Sequence, residues 1–475
     1  MTTDTWSLVM PLDLQESLWA HLFPGDDDEH GAVVLAGVTK TPDGPRLLAR
    51  ELILAVDGID YVPGTRGYRA LTSDFVQRAA LAARDRHLAY LAVHCHGGTN
   101  HVDFSEVDLA SHERGYPALR DITGQPVGAL VVARHAVAGD LWLPDGRRAT
   151  LSRTSVPGRV ITRLTPTPEL APPEAAPGWD RQARLFGDAG QARLARTSVA
   201  IVGLGGLGSL LAEYLGRLGL GRLVLVDPDR ADITNLPRLV GARRIDAPAG
   251  LATTWRGRLT AGRATSKVRL AARNIRRANR AAIVECYRTS VDDPAAAAAV
   301  AGTDFIFLAG DSHTARHVVN AIVQQYLIPG VQAGVKIRVA ADGTVEDIHV
   351  PVRPLVPGRA CLWCGGLIDA TKLALESLPD AERKAVQYVP DVPSASVITL
   401  NGLAAAEAAT YFLFALTGLN EPDGAGNALL RFPRQLRMTS QVLNAEPDCK
   451  WCTDATGSHL ARGDNMPLPV RLTGR

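Results

Sequence analysis

The chain has no excess of charge of either sign. It holds 51 lysines and arginines against 49 aspartates and glutamates, a net +2. Bulk electrostatics therefore argue for neither nucleic acid nor a membrane surface as a partner. It also lacks a long apolar run. The richest stretch, from Ala295 to Ala301 onward, is broken by Thr303 and Asp304, and no uninterrupted run is long enough to span a bilayer. The opening residues MTTDTWSLVMPLDLQ lack the basic segment and apolar segment of an export signal. Cysteine is sparse, six in all, and four of the six form two Cys-x-x-Cys pairs. Without an export signal, that spacing reads as metal binding rather than disulfides, and a cytoplasmic location is expected.

A length of 475 residues implies two or three domains. One boundary is visible. Residues 165–178, TPTPELAPPEAAPG, hold five prolines and almost no periodicity, the composition of a semi-rigid linker. The expected division is a first domain at 1–164, this linker, a second domain at 179–455 and a loosely held tail at 456–475. The first domain mixes a helix near Leu12–Phe23 with strands at Ala32–Gly37, Arg46–Ala55, Leu88–His94 and Val127–Arg134. That predicts an α+β unit on a mostly antiparallel or mixed sheet. The second alternates: strand Ser198–Val202, helix from Gly208, strand Arg222–Asp227, helix Lys267–Arg280, strands Ala282–Tyr287 and Asp304–Ala309. That predicts an α/β, Rossmann-like, doubly wound parallel sheet.

Gly203-Leu-Gly-Gly-Leu-Gly208 follows the first of these strands and opens a helix. Gly203 permits the tight turn. Gly205 and Gly206 let a phosphate approach backbone N–H groups at the helix N-terminus, and Asp227 ends the next strand where it can bond ribose hydroxyls. This much fits NAD or FAD as well as ATP. The polar set that follows discriminates. Asp229, Asn235 and Arg238 form D-x5-N-x2-R, which a dinucleotide site does not need. Arg238 and Lys267 can neutralise a triphosphate as a fork and a point charge. Asp311, after the apolar strand FIFLAGD, suits Mg²⁺ held with phosphates.

Residues 179–452 resemble the ThiF/MoeB family, adenylating enzymes related to ubiquitin-activating enzymes. WDRQARLFGDAGQARL resembles the family's entry helices. The glycine loop (Gly203, Gly205, Gly206, Gly208), Asp227, Thr234–Arg238, Lys267, Asp311 and Ser312 match the nucleotide and magnesium positions in order. PSASVITLNGLAAAEA (Pro393–Ala408) resembles a late helix start. The resemblance implies that a protein's C-terminal carboxylate attacks the α-phosphate of ATP, giving an acyl-adenylate and pyrophosphate. Arg181, Arg238, Lys267 and magnesium would stabilise the developing charge. Arg181 matches an arginine that reaches the partner subunit's ATP, which implies a homodimer.

Cys361, Cys364, Cys449 and Cys452 can close one tetrahedral zinc site with no open position, hence a structural one. The chain departs from the family in an insertion at about Asp246–Gly262. It also lacks an obvious acceptor cysteine, because Cys286 is expected to be buried and inert in a strand and Cys95 lies in the other domain. Adenylation without a thioester on this chain follows.

His94-Cys-His96 ends a strand of the first domain, and Ser105-Glu-Val-Asp108 follows. Histidines at i and i+2 point the same way. With Asp108 they supply three zinc ligands and leave one position for water, the pattern of a catalytic site. Glu29 could take the water's proton. In this order Glu29, His94, His96, Ser105 and Asp108 resemble the JAB/MPN metalloproteases, which cut isopeptide bonds or tails of ubiquitin-like proteins. There Ser105 would hold the oxyanion or the water. The departures are Gly97 in place of a proline, and His101 and Asp103 as competing ligands. Ser105-x-x-Asp108 also reads as a helix capping box. The expectation is a two-headed enzyme using ATP, Mg²⁺ and two zincs. Its partner would be a small ubiquitin-like or sulfur-carrier protein with a Gly-Gly tail, with neither nucleic acid nor membrane involved. The alternative is an activating enzyme for a sulfur carrier, with the first domain as a substrate-binding module.

Overall fold

In a computed structural model of the protein, residues 5–26, 28–64, 69–247, 264–378, 382, 395–421, 428–455 and 457–471 are described. Two compact units emerge. The first is Met1–Ala171 with Gln324–Leu327 and Lys450–Pro467, and the second is Pro172–Val323, Ile328–Cys449 and Leu468–Arg475. The break at Ala171–Pro172 falls within the proline-rich stretch. Most of the expected insertion, residues 248–262, and the start of the segment from Pro393 lie outside the described residues.

The first unit runs β1 (Thr5–Val9), α1 (Leu12–Leu22), β2 (Gly31–Thr41), β3 (Gly44–Leu54), α2 (Ser73–Arg86), β4 (Ala89–Cys95), α3 (Glu106–Thr123), β5 (Val127–Ala133), β6 (Ala136–Trp142), β7 (Arg148–Val156) and β8 (Thr162–Leu164). The sheet order is β1-β3-β2-β4-β5-β6-β7-β8, and β1 also pairs with β7, so seven strands close a ring. The pairs β1–β3, β1–β7 and β4–β5 are parallel, and the others are antiparallel.

Strand parity divides the core. Ala32, Val34, Ala36, Leu91, Val93 and Cys95 join one apolar cluster with Leu18 and Leu22 of α1. Val33, Leu35 and Tyr90 join another with Phe75 and Ala79 of α2 and Tyr116 of α3. Two-residue periodicity therefore turns Cys95 into the first cluster and aims His94 at the face covered by α3.

The tail differs from expectation. Leu460 and Ala461 are buried with Val9, Leu48 and Leu327. Gly463 bridges Val38, Arg50 donates to the Leu460 carbonyl, and Thr39 Oγ1 donates to Asp464 at 3.0 Å. A polar composition predicts a loose end. The two apolar residues Leu460 and Ala461, with a row of backbone bonds, are enough to hold this segment within the first unit.

The second unit runs α4 (Asp180–Arg196, bent at Gly187), β9 (Ser198–Val202), α5 (Gly206–Leu218), β10 (Arg222–Val226), α6 (Lys267–Ala278), β11 (Ile283–Tyr287), α7 (Pro294–Ala301), β12 (Phe305–Leu308), α8 (His313–Gln325), β13 (Gly330–Ala333), β14 (Lys336–Val339), β15 (Val345–Leu355), α9 (Ala370–Glu376), α10 (Ile398–Thr417), β16 (Ala428–Phe432) and β17 (Arg437–Gln441). The sheet order is β11-β10-β9-β12-β13-β15-β16-β17. β11 to β13 are parallel, and the remaining pairs are antiparallel. The strand order reverses between β9 and β12, so a crevice opens there at the carboxyl ends of the strands. β11 is an edge strand, which is why Cys286 is exposed rather than buried as expected.

α10 is long and apolar enough by length and composition to cross a membrane. It nevertheless carries Glu407, which pairs with Arg431 at 3.1 Å, and buries Asn401, Ala404, Ala408 and Phe412. Phe412 meets Phe305 and Phe307 of β12 at tilted and edge-on angles. That is the packing of a core helix.

A Cβ at Gly37 would collide with the Ala461 carbonyl oxygen. Gly37→Val should therefore cost about 1–3 kcal/mol and release the C-terminal segment. Hydrogen exchange should show lost amide protection at 461–464 while the β9–β12 amides stay protected.

Candidate functional site

The glycine loop is built by close approach. Gly203 adopts φ 91°, and a Cβ there would lie 2.6 Å from the Gly310 nitrogen. The ends of β9 and β12 can meet only with glycine at this place. Gly205 is the N-cap of α5 and faces open space, whereas Gly206 faces Asn401 and Arg238. Open space therefore lies over the Cα of Gly205, whereas the corresponding side of Gly206 is packed. Gly208 lies against the Gly203 carbonyl.

Asp227, just past β10, ties this loop to its surroundings. Its carboxylate accepts from Leu204 N at 2.6 Å and Asp229 N at 2.9 Å. Burial pushes this carboxyl up, while the charge of Lys267 and the two N–H groups oppose the rise. Arg230 bridges Ser266, and Lys267 N donates to the Asp229 carbonyl. This short pairing brings Lys267 Nζ to 2.6 Å from Asp229 and 3.9 Å from Asp227.

Asn235 closes a capped turn with Asp232, and Arg238 Nη1 donates to the Thr234 carbonyl at 2.9 Å. Both remain partly exposed. Asp311 lies exposed beyond β12, with the charge of Arg316 nearby, and Ser312 Oγ accepts from Ala315 N at the start of α8. Arg181 is exposed on α4 and has no carboxylate partner among the described residues. Sequence reasoning missed Asn401 as a site residue. It is 5% exposed, bonds Ser396 at 3.1 Å and sits against Gly206. Its one signal was a lone asparagine in the apolar run ITLNGLAAAEA.

Four sulfurs gather in the cysteine cluster of Cys361, Cys364, Cys449 and Cys452, all within 4.8 Å of one another. Cys361 Sγ lies 3.8 Å from Cys364 Sγ and 3.7 Å from Cys449 Sγ. A tetrahedral zinc with Zn–S bonds of about 2.3 Å sets its sulfurs about 3.8 Å apart, so the cluster fits that ion.

In the first unit, His94, His96 and Asp108 form a second group. The Nε2 atoms are 3.2 Å apart, and Asp108 lies 3.5 Å from His94 and 3.4 Å from His96. Zinc bonds to nitrogen and oxygen of about 2.1 Å give tetrahedral edges of about 3.4 Å, so this triangle could hold a metal. His96 Nδ1 lies 3.1 Å from the Asp103 carbonyl oxygen, an acceptor that favours the proton on Nδ1 and leaves the Nε2 lone pair for a metal.

The capping box is real as well. Ser105 N and Oγ both donate to Asp108, at 2.8 and 2.7 Å, and Asp108 N donates to Ser105 Oγ. Burial would raise the Asp108 carboxyl, but hydrogen bonds from His94 and Ser105 hold it well below the usual carboxylate range. Glu29 stands 3.9 Å from His96, and burial pushes its carboxyl up against the pull of both histidines. Neither His101 nor the Asp103 carboxylate joins the group. His101 is exposed, and Asp103 Oδ1 accepts from Phe104 N.

Residues 179–452 match the ThiF family, and that match begins after the first unit's main segment. Over 168 residues the chain is 38% identical to adenylyltransferase and sulfurtransferase MOCS3 of Sus scrofa, covering 33% of this chain and 33% of that protein. It therefore spans about a third of that relative's length. Over 269 residues it is 28% identical to the SAMP-activating enzyme E1 of Haloferax volcanii, covering 56% of this chain and 84% of that one. A solved structure of E. coli MccB with ATP covers 59% of this chain and 76% of that chain, at 20% identity and a TM-score of 0.44.

Purified protein should carry zinc on the cysteine cluster. Cys361→Ser should lose one zinc by elemental analysis and cost several kcal/mol of stability, because metal binding to thiolates is folding free energy.

Proposed function

The chain belongs to the ThiF family, and from that premise we propose that its second unit adenylates the C-terminal carboxylate of a small ubiquitin-like or sulfur-carrier protein. The carrying observation is the set gathered beyond β9 and β10. An open helix N-terminus at Gly205 lies beside a buried Asp227, with Lys267 fixed between Asp227 and Asp229. A phosphate chain suits the N-terminal N–H groups of α5. Asp227 is placed for ribose hydroxyls.

The incoming carboxylate forms a bond to the α-phosphorus, and the bond to pyrophosphate breaks. Lys267 and Arg238 neutralise charge on the departing phosphates, so the chain's own part is positioning and electrostatics. Asp311, exposed beyond the carboxyl end of β12, is the residue that would hold magnesium, which would supply charge against that of the phosphates. Arg181, exposed and without an in-chain carboxylate partner among the described residues, supports a homodimer in which it serves the other copy. A thiolate cluster needs a reducing compartment, which supports a cytoplasmic location.

For the first unit we propose a substrate-binding module for the same small protein, in the manner of an activating enzyme for a sulfur carrier. That MOCS3 is an adenylyltransferase and sulfurtransferase, and the Haloferax relative a SAMP-activating enzyme, supports this reading over coupled proteolysis. One observation favours a second reading, in which the unit is a JAB/MPN-type zinc peptidase acting on a Gly-Gly tail. The edges of the His94–His96–Asp108 triangle suit zinc, and Glu29, its carboxyl raised, is near enough to serve as base. Ser105, committed to Asp108, would then orient a ligand carboxylate.

With a Gly-Gly-ended carrier, the protein should catalyse ATP–pyrophosphate exchange, and Lys267→Ala should lower it by about 10²-fold. Absence of exchange with every ubiquitin-like and sulfur-carrier protein tried would refute the adenylation reading. For the first unit, a second zinc that His94→Ala removes, together with cleavage of a tail fusion, would establish the peptidase. One zinc per chain and no cleavage leaves the binding module.

A further inference from the structure

Charge is distributed very unevenly along this near-neutral chain. Residues 247–284 contain eight arginines and one lysine and no aspartate or glutamate, a net +9 in a chain of net +2, so the remainder carries net −7. The structure concentrates part of that charge. Arg269, Arg273, Arg276, Arg277 and Arg280 recur at helical spacing along and just past α6. Together with Cys286 of the edge strand β11 they line a groove of about 700 Å³. The opposite face of α6 buries Val268, Leu270, Ala271 and Ile275, so the helix is held by its apolar side while the guanidinium row faces outward.

The arrangement costs the helix something locally. Its first turn holds Lys267 and Arg269 and no acidic residue, against the sense of the helix dipole. Arg269, Arg273 and Arg277 also set like charges four residues apart, which disfavours the helix. Among the described residues, only Arg273 of this row pairs with a carboxylate, Asp246 at 2.8 Å. Arg276 donates to the Val284 carbonyl. Arg269, Arg276, Arg277 and Arg280 have no carboxylate partner among the described residues.

We propose that this groove docks an acidic stretch of another protein, bound in extended form with its carboxylates against the arginine row. From residue 269 to 280 the row spans about 16 Å along the helix, the length of about five extended residues. Guanidinium forks match carboxylates two bonds at a time. Single-stranded nucleic acid fits the groove less well, because no aromatic side chain lines it to stack on bases. The net −7 of the rest of the chain also opposes a long polyanion. Cys286 sits in the groove as a built-in reporter.

The test uses the full chain and a fluorescein-labelled hexaglutamate peptide followed by anisotropy, with single-stranded oligouridylate as the competing probe. The expected result is salt-sensitive peptide binding, weakened at least tenfold in Arg269→Ser/Arg277→Ser/Arg280→Ser. The same peptide should slow alkylation of Cys286 in the wild-type protein, read by mass spectrometry, whether or not the triple variant folds. Unchanged peptide binding by a folded triple variant would overturn the proposal. So would unaltered Cys286 alkylation, or oligouridylate displacing the peptide.

Discussion

Two hydrogen bonds to one buried carboxylate organise the second unit. Asp227 is 6% exposed, and a carboxylate so placed is costly unless its oxygens are occupied. Leu204 N and Asp229 N supply the partners, and Lys267 supplies the charge. Each partner belongs to a different piece of the site: the glycine loop, the segment beyond β10, and the start of α6. Meeting the demand of one carboxylate therefore fixes three backbone segments relative to one another. The glycine loop held in this way also carries the close approach of Gly203 to Gly310.

The first unit obeys a simpler constraint. β4 lies inside a closed ring of strands and must bury both faces. Alternation sends Leu91, Val93 and Cys95 one way and Tyr90, Ala92 and His94 the other. α3 is capped by Ser105, and Asp108, the third residue of the helix and Ser105's partner in the capping box, faces both histidines. The carboxylate that closes the capping box is therefore also the candidate ligand. A carboxylate held by Ser105 at a helix N-terminus is also oriented before any ligand arrives.

Much of this was legible in the sequence because the signals are local. A strand, GLGGLG and a helix can be read within twenty residues, as can His-x-His at a strand end. Asp229, Asn235, Arg238, Lys267 and Asp311 could be singled out by residue type and their order by family resemblance, but the meeting of Asp229 with Lys267 depends on the nonlocal pairing of 229–231 with 265–267. What escaped was nonlocal or contextual. The C-terminal segment reads as polar and loose, yet two buried residues and Gly37, more than four hundred positions away, hold it. The packing of Asn401 of α10 against Gly206, about two hundred positions earlier, has no local signal either. Cys286 reads as buried because its strand is apolar, and only the strand order reveals β11 as an edge.

We propose that the loop at Gly203–Gly208 holds the phosphates of ATP rather than a dinucleotide. Calorimetric titration of the intact protein with ATP–Mg²⁺ and, separately, with NAD distinguishes the two. Saturable ATP binding that Lys267→Ala weakens, with no heat from NAD, is expected. Binding of NAD without ATP would refute the ATP reading.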